Sequence, residues 1–492
     1  MDEKINLLNA KLERPAALKP NRPRRRKPFK TLAYVFIFLA VVYGIFSLSG
    51  QPTDQPASWY DRLPFLSQLK HLVESADAKL KGEDRGRINI LLLGIGGRGH
   101  DGAYLTDTIM LVSLMPKEKK AALVSVPRDL SVPIENLGWQ RINSINAYAE
   151  AKQPGSGGLS VSQAVSDILE IPIDYYLTVD FTGFTKVIDD LGGIKVNVEN
   201  TLDDYQYPIL GSEDASWNER WEHLHIDKGE QVMNGRLALK YVRSRHGLGG
   251  EGSDFARSQR QQKVLEAVKE KLLSANLLFR PGLISKIVGD ASDNYQTNFK
   301  IWEIVKLWSL VKDLTSQNII NRVLDNSPSG LLVDSIGEDG SYLLVPRSGN
   351  FSEIQYLVNN IFKEAPSADK RAVVGQEASV EVRNGTWING LASRAALDLE
   401  KYGFDIIRVG NFSQKNFQKS VIYDLTYGAK IQALEVLKNK TGANAALGMP
   451  QWLIEEMAKE LAKEQNPAQP DFILLLGEDA DATHSGAANP AQ

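Results

Sequence analysis

The chain has 492 residues, a formal net charge of −3, 43% hydrophobic and 24% charged residues, and no cysteine. That length exceeds one ordinary domain, so about two to four structural units are expected. The near-neutral charge provides no global basic field for nucleic acid, and the lack of cysteine excludes disulfides, thiolate zinc sites and cysteine nucleophiles. Any anion site must be a local cluster of arginines.

The N-terminal region reads as a membrane anchor. Residues 1–30 form a basic leader ending in Arg22, Arg24, Arg25, Arg26, Lys27 and Lys30. Thr31 to Leu48 then carries no charge, a run near the lower limit for a spanning helix. A transmembrane helix is expected over 31–49, single-pass, with the N-terminus cytoplasmic by the positive-inside bias. The rest of the chain then lies outside the cell membrane, where cytosolic nucleotides are not available. Residues 50–85, with Pro52, Pro56 and Pro64, read as a juxtamembrane linker and helix.

Ile88 to Leu93 is the first strong strand, followed by the Gly-rich loop Gly94 to Gly99. Thr108 to Leu114 and Ala121 to Val126, around the polar turn Met115 to Lys120, predict a hairpin. Helices are expected over Ser160 to Leu169, Phe181 to Leu191, Gly235 to Arg243, Ser258 to Ser274, Ile301 to Leu314 and Asn350 to Lys363. Strands are expected at Tyr175 to Val179 and Ile194 to Val198. Alternating strands and helices predict an α/β or α+β domain with a mixed sheet over 86–365. A polar boundary falls near Pro366 to Asp369. A smaller α/β domain is expected over 372–480, followed by a disordered Ala/Gly/Pro-rich tail over 481–492.

Gly94, Gly96 and Gly99 spell GxGxxG directly after a strand, the dinucleotide fingerprint. That fingerprint needs a helix opening at the loop to hold the pyrophosphate. A strand follows too soon for such a helix, so no nucleotide cofactor is expected. Arginines recur at element ends: Arg128 after LVSVP, Arg243 and Arg245 in YVRSRH, Arg257 and Arg260 in the ARSQRQQ segment. Arg257, Arg260 and Gln261 stand at i, i+3 and i+4, on one helical face. Converging guanidinium groups suit a diphosphate because each can donate two parallel hydrogen bonds to phosphate oxygens. Asp107, with Asp101 nearby, offers the one or two carboxylates that magnesium takes beside phosphate oxygens. The six histidines include no HxxxH pair.

Taken together, INILLLGI, LTDTIMLVSL, LVSVPRD, INSINAYAE, the segment from Ile168 to Val198, GEQVMNGRLALKYVRSRH and SDFARSQRQQKVL resemble the LytR-CpsA-Psr family of cell-envelope enzymes. The match covers about residues 88–275. Residues 378–477, through VEVRNGTWINGLASRAALDLEKYGFDIIRVGNF and DFILLLGEDA, resemble the C-terminal domain of LytR-like members. The resemblance implies a three-layer α/β/α domain whose sheet and helices enclose an apolar lipid tunnel. On the residues alone, a filled core is the default reading. It also implies magnesium-assisted transfer of a phosphate-linked glycan from a polyprenyl diphosphate to a peptidoglycan hydroxyl.

By the same resemblance, Asp107 is the magnesium ligand and a catalytic residue. Arg128, Arg243, Arg245 and Arg257 bind the diphosphate and act in catalysis, with Gln261 and Arg260 beside them. The chain departs from the family pattern at Gly96, where aspartate is frequent, and at Leu105, where arginine is frequent. Arg98 and Asp101 are expected to compensate, as a cation and a second metal carboxylate. The general base is open among Asp101, Asp254 and His246. Two other readings stand beside transfer: hydrolysis of the lipid diphosphate by water, and binding of lipid diphosphate or wall glycan without turnover.

Overall fold

The computed structural model describes residues 78–484 except 101, 135–137, 210–211, 213–214, 275–293 and 462–467. The anchor expected at 31–49 and the leader before it lie outside the described residues. Among the described residues, no helix is long and apolar enough to cross a membrane.

Strand β1 (Ile88–Ile95) is apolar at almost every position, the pattern of a strand covered on both faces. It pairs antiparallel with β2 (Thr106–Met115), which returns through a tight turn into β3 (Lys120–Val126). Lys119, at φ 52, takes the left-handed position of that turn. The expected hairpin therefore forms. The loop between β1 and β2 holds no helix among its described residues, so GxGxxG has no helix N-terminus behind it. Gly97 and Gly99 serve the turn instead, at φ 85 and 88; a Cβ on Gly97 would stand 2.7 Å from the Cβ of Asp180.

A small hairpin, β4 (Ser131–Ile134) and β5 (Gly138–Arg141), precedes α1 (Ser144–Lys152) and α2 (Gly157–Leu169). Strand β6 (Tyr175–Asp180) then joins β1 in parallel. Asp180 caps α3 (Phe181–Asp190) by accepting from the Gly183 amide at 2.7 Å. Next come β7 (Ile194–Val198), the bulged hairpin β8 (Leu202–Pro208) and β9 (Trp221–Ile226), and β10 (Gly229–Met233), which pairs with β7. Helix α4 (Gly235–Arg243), capped by Asn234, leads into α5 (Asp254–Ser274), which begins four residues before the expected start at Ser258. β11 (Tyr295–Thr297), α6 (Ile301–Val311), β12 (Ile319–Val323), β13 (Leu332–Ile336), β14 (Tyr342–Pro346) and α7 (Ser352–Asn360) complete the domain.

The central sheet is mixed, in the order β11-β6-β1-β2-β3-β12. Period-two alternation sends Leu91, Leu93, Ile109, Leu111, Val124 and Val126 against α2 and α7. Ile88, Ile90 and Leu92 face the other way, toward Trp302, Leu307 and Leu310 of α6. Helices α3, α4 and α5 form a further core with β7 to β10. Helices thus cover both faces of the sheet.

The second α/β domain has a five-stranded sheet in the order β16-β15-β19-β17-β18. Its elements in chain order are α8 (Ser367–Val374), β15 (Ser379–Asn384), α9 (Leu391–Lys401), β16 (Asp405–Asn411), β17 (Val421–Asp424), α10 (Ile431–Thr441), β18 (Asn444–Leu447), α11 (Gln451–Leu461), β19 (Phe472–Leu476) and α12 (Asp479–His484). The polar stretch expected as a boundary begins α8, which buries Val373 in the second core. One expectation needs correction. The first residues of the expected tail form α12, held because Asp479 accepts from the amide and hydroxyl of Ser420 and Ala480 is buried. Arg322 pairs with Glu400 at 2.9 Å, Tyr356 donates to Asp398 at 3.0 Å, and Arg347 donates to the Val409 carbonyl at 2.8 Å. These contacts join the two domains.

Candidate active site

Asp107 lies at the start of β2, where the hairpin leaves the Gly-rich loop. Arg128 follows the end of β3, the neighbouring strand, and donates to Asp107 Oδ1 at 2.7 Å. Arg245 reaches the same oxygen from the segment after α4, at 3.2 Å. Arg257, on the first turn of α5, pairs with Asp254 at 2.6 Å and is only 6% exposed. Arg243, the last residue of α4, lies over the Phe181 ring at 4.3 Å, and His100 packs edge-on to the same ring.

Burial pushes the Asp107 carboxyl up, but the Arg245 and Arg128 guanidinium groups outweigh it and hold the group below its ordinary value of 3.8. For Arg257, burial dominates and lowers it to about 10, still charged at neutral pH. Arg245 is lowered by burial and by repulsion from Arg128. This is a site short of negative charge, and an arriving anion relieves it. Because the folded-state value of Asp107 is depressed, its contribution to stability is full above 3.8 and is lost as pH falls through the folded value. Wild type and Asp107→Asn should therefore differ by a constant amount from pH 5 to 7 and converge only below about pH 4. Urea unfolding across that range checks this.

The arginine segment after α4 hangs on Asp204, which sequence reasoning missed. Asp204 is fully buried; its Oδ2 accepts from Ser244 Oγ at 2.6 Å, His246 N at 3.2 Å and Arg245 N at 3.3 Å, and its Oδ1 from Gln206 N at 2.9 Å. Arg260 belongs to the same scaffold. It donates to the carbonyls of Tyr241, Ser244 and Glu251 and to the Glu251 carboxylate, and it lines neither cavity described below. Its expected diphosphate role is thus corrected: its guanidinium is spent on the protein. Arg98 is exposed in the Gly-rich loop and lines neither cavity. Asp101 lies outside the described residues. Gln261 does join the site, donating to Thr108 Oγ1 at 2.9 Å.

Two cavities meet at this cluster. One, of about 560 Å³, lies between the sheet and α3 to α5 and is lined by Leu92, Met110, Leu177, Phe184, Leu239, Val264 and Val268 among others. Residues that read as filled core in the sequence enclose open space instead. The other, of about 600 Å³, is lined by Arg128, Ser253, Asp254, Gln259, Asn321, Arg322, Asp325 and Tyr342, with Leu397 and Glu400 of α9 completing its wall. Asp107, Thr108, Arg257 and Gln261 line both. Both volumes fall within the roughly 300–1,000 Å³ of ordinary ligand sites. His246 faces the apolar cavity and Asp254 the polar one.

The donor set fits magnesium. The hydrogen bonds of Asp107 among the described residues run to Oδ1, and its side chain is 34% exposed, so Oδ2 is available beside an anion site.

A mixed sheet with an arginine cluster between an apolar and a polar cavity makes this an α/β protein with an arginine-lined cleft. The chain belongs to the LytR-CpsA-Psr family: its family model matches residues 67–359, and residues 377–479 match the model described as LytR cell envelope-related transcriptional attenuator. It is 30% identical over 335 residues to the polyisoprenyl-teichoic acid–peptidoglycan teichoic acid transferase TagV of Bacillus subtilis, covering 67% of this chain and 78% of that one. It is 26% identical over 345 residues to the cell wall biosynthesis protein LcpA of Corynebacterium glutamicum, covering 64% and 62%. Among solved structures, the crystal structure of B. subtilis TagV aligns at TM-score 0.42 and 29% identity, over 57% of this chain and 98% of that one.

Proposed function

We propose that this protein transfers a phosphate-linked glycan from a polyprenyl diphosphate to a peptidoglycan hydroxyl, anchored in the cell membrane through residues 31–49. The observation that carries this reading is the shared lining of two unlike cavities by Asp107, Thr108, Arg257 and Gln261. A lipid diphosphate has the same polarity in the same order: apolar tail, anionic centre, polar glycan. The names of the relatives, teichoic acid transferases among them, point the same way.

In this reading the tail enters the apolar cavity and the diphosphate lies on Arg128, Arg243, Arg245 and Arg257. Asp107 would hold a magnesium ion, whose charge would offset that of the phosphates. Asp204 keeps Arg245 in place, and Phe181 keeps Arg243 in place. The polar cavity admits the acceptor. Its hydroxyl oxygen bonds to the glycan-side phosphorus, the bond to the bridging oxygen breaks, and polyprenyl monophosphate leaves. Asp254, facing the polar cavity, takes the hydroxyl proton. Positioned cations and an aligned acceptor suffice for such a reaction without a covalent intermediate.

The full chain in detergent, given a synthetic polyprenyl-diphosphate glycan and a peptidoglycan oligomer, should form coupled product detectable by mass spectrometry. Asp107→Ala should abolish it. Lipid retention without product, under conditions that supply the acceptor, would favour a binding protein and refute the transferase. A separate expectation concerns the tail. Val268→Trp fills the apolar cavity from a partly buried position and should weaken polyprenyl binding by about 10-fold while leaving the fold intact, following the ~1–3 kcal/mol of overpacking. Equilibrium binding of a labelled polyprenyl phosphate checks it.

A further inference from the structure

The β8–β9 hairpin carries a group of side chains that the reaction above does not use. His223 and His225 stand two apart on β9, so both point from one face. Leu224 and Ile226, on the opposite face, are buried and fix that orientation. Asp203 lies directly across from His225 in the strand register, between the buried Leu202 and Asp204. Its Oδ1 lies 2.9 Å from His223 Nε2 and 2.7 Å from His225 Nδ1, and the three donor atoms all fall within 4.8 Å of one another. Tyr205 stacks on His223 with centroids 4.0 Å apart, which holds that imidazole in position.

We propose that Asp203, His223 and His225 form a zinc-binding site. Two imidazole nitrogens and a carboxylate oxygen are a donor set for zinc or a similar borderline divalent cation, in contrast to the all-oxygen surroundings of magnesium. Donors at ~2.0–2.2 Å from one tetrahedral ion stand roughly 3.3–3.6 Å apart, so the present spacing, within 4.8 Å, needs adjustment by at most about 1.5 Å. The strongest support is the outer partner. His225 Nε2 lies 3.1 Å from Asp227 Oδ1 and donates its N–H to that carboxylate, so Nδ1, which faces Asp203 Oδ1 at 2.7 Å, is the nitrogen that would give up its proton and bind the metal. A carboxylate behind a ligating histidine is the usual way to orient the ring and raise its basicity. Three protein ligands leave the fourth position to water.

The location connects this site to the arginine cluster. Asp204, the next residue on β8, holds the Ser244 to His246 segment, and the Asp203 carbonyl accepts from Leu248 N at 2.9 Å. Zinc would clamp β8 to β9 at the point from which Arg245 is hung, a structural role distinct from any magnesium on Asp107.

The test uses the full chain in detergent, stripped by a chelator and titrated calorimetrically with zinc chloride. One zinc ion per chain is expected, with affinity lowered at least about 10-fold in Asp203→Asn and in His225→Ala, and unchanged in Asp107→Asn. Saturating zinc should raise the Tm of wild type and Asp107→Asn by a few degrees, and that of His225→Ala by none. All three ligands are solvent-facing, so the variants should fold, and circular dichroism verifies it. Absence of zinc binding overturns the proposal. So does binding that survives Asp203→Asn and His225→Ala, or that vanishes in Asp107→Asn.

Discussion

Arg257→Ala is expected to lower kcat/KM for glycan coupling by about 100- to 1,000-fold, the usual cost of deleting one preorganised charge donor. The structure makes this a loss of function more than of fold. Arg257 is buried, yet its ion-pair partner Asp254 is its i,i+3 neighbour and is 47% exposed, so the orphaned carboxylate returns to water. The guanidinium otherwise faces both cavities at their junction. Lysine at the same position keeps the charge but loses the planar fork, so Arg257→Lys should recover part of the activity. Steady-state coupling measured beside thermal unfolding separates the two effects. Full activity in Arg257→Ala would remove the residue from the diphosphate site.

Asp204→Ala should destabilise the protein by roughly 3 kcal/mol and lower coupling by about 10- to 100-fold. The buried Ser244 hydroxyl and the amides of Arg245 and His246 lose their shared acceptor where water has little access. Each buried unsatisfied donor costs about 1–3 kcal/mol, reduced by whatever relaxation the segment allows. Arg245 is then no longer held against Asp107, so the defect should persist at temperatures where the variant is fully folded. Denaturant unfolding gives the first quantity and coupling at reduced temperature the second. A variant that is unstable but fully active per folded molecule would show that Asp204 supports the fold alone.

These two residues differ in how far the sequence exposes them. Arg257 follows a readable pattern: a helix whose arginine and glutamine share a face, in a segment that resembles a known family. Asp204 carries no local sign. Three of its four partners lie about forty residues away, and a buried carboxylate that accepts from a distant backbone looks like any loop aspartate until the chain is folded. Arg260 shows the limit of helical spacing. Three residues turn the helix by about 300°, and the remaining ~60° is enough to send Arg257 to the cavities and Arg260 to the carbonyls of Tyr241 and Ser244.

The sheet core was more legible. Ile88 to Val126 reads as buried strands around a polar turn, and the structure places three strands there in that order. That no helix opens behind GxGxxG, among the described residues, was legible because too few residues separate it from β2. The apolar cavity was legible through the family resemblance alone and not from the residue pattern. Leu92, Met110 and Val264 have the same pattern whether a side chain or a void stands opposite, since periodicity reports which face is covered and not what covers it. The histidine pair on β9 also escaped. A search at helical spacing passes over alternate residues of a strand, and its carboxylate partner arrives from β8.

The central claim is transfer to an acceptor hydroxyl and not to water. Running the reaction in water enriched in oxygen-18, with polyprenyl-diphosphate glycan and peptidoglycan oligomer, tests it most directly. Coupled product and polyprenyl monophosphate should form in equal amounts, with no heavy oxygen in either. Free glycan phosphate carrying one heavy oxygen, formed at the same rate with or without peptidoglycan, would contradict it and make the protein a hydrolase.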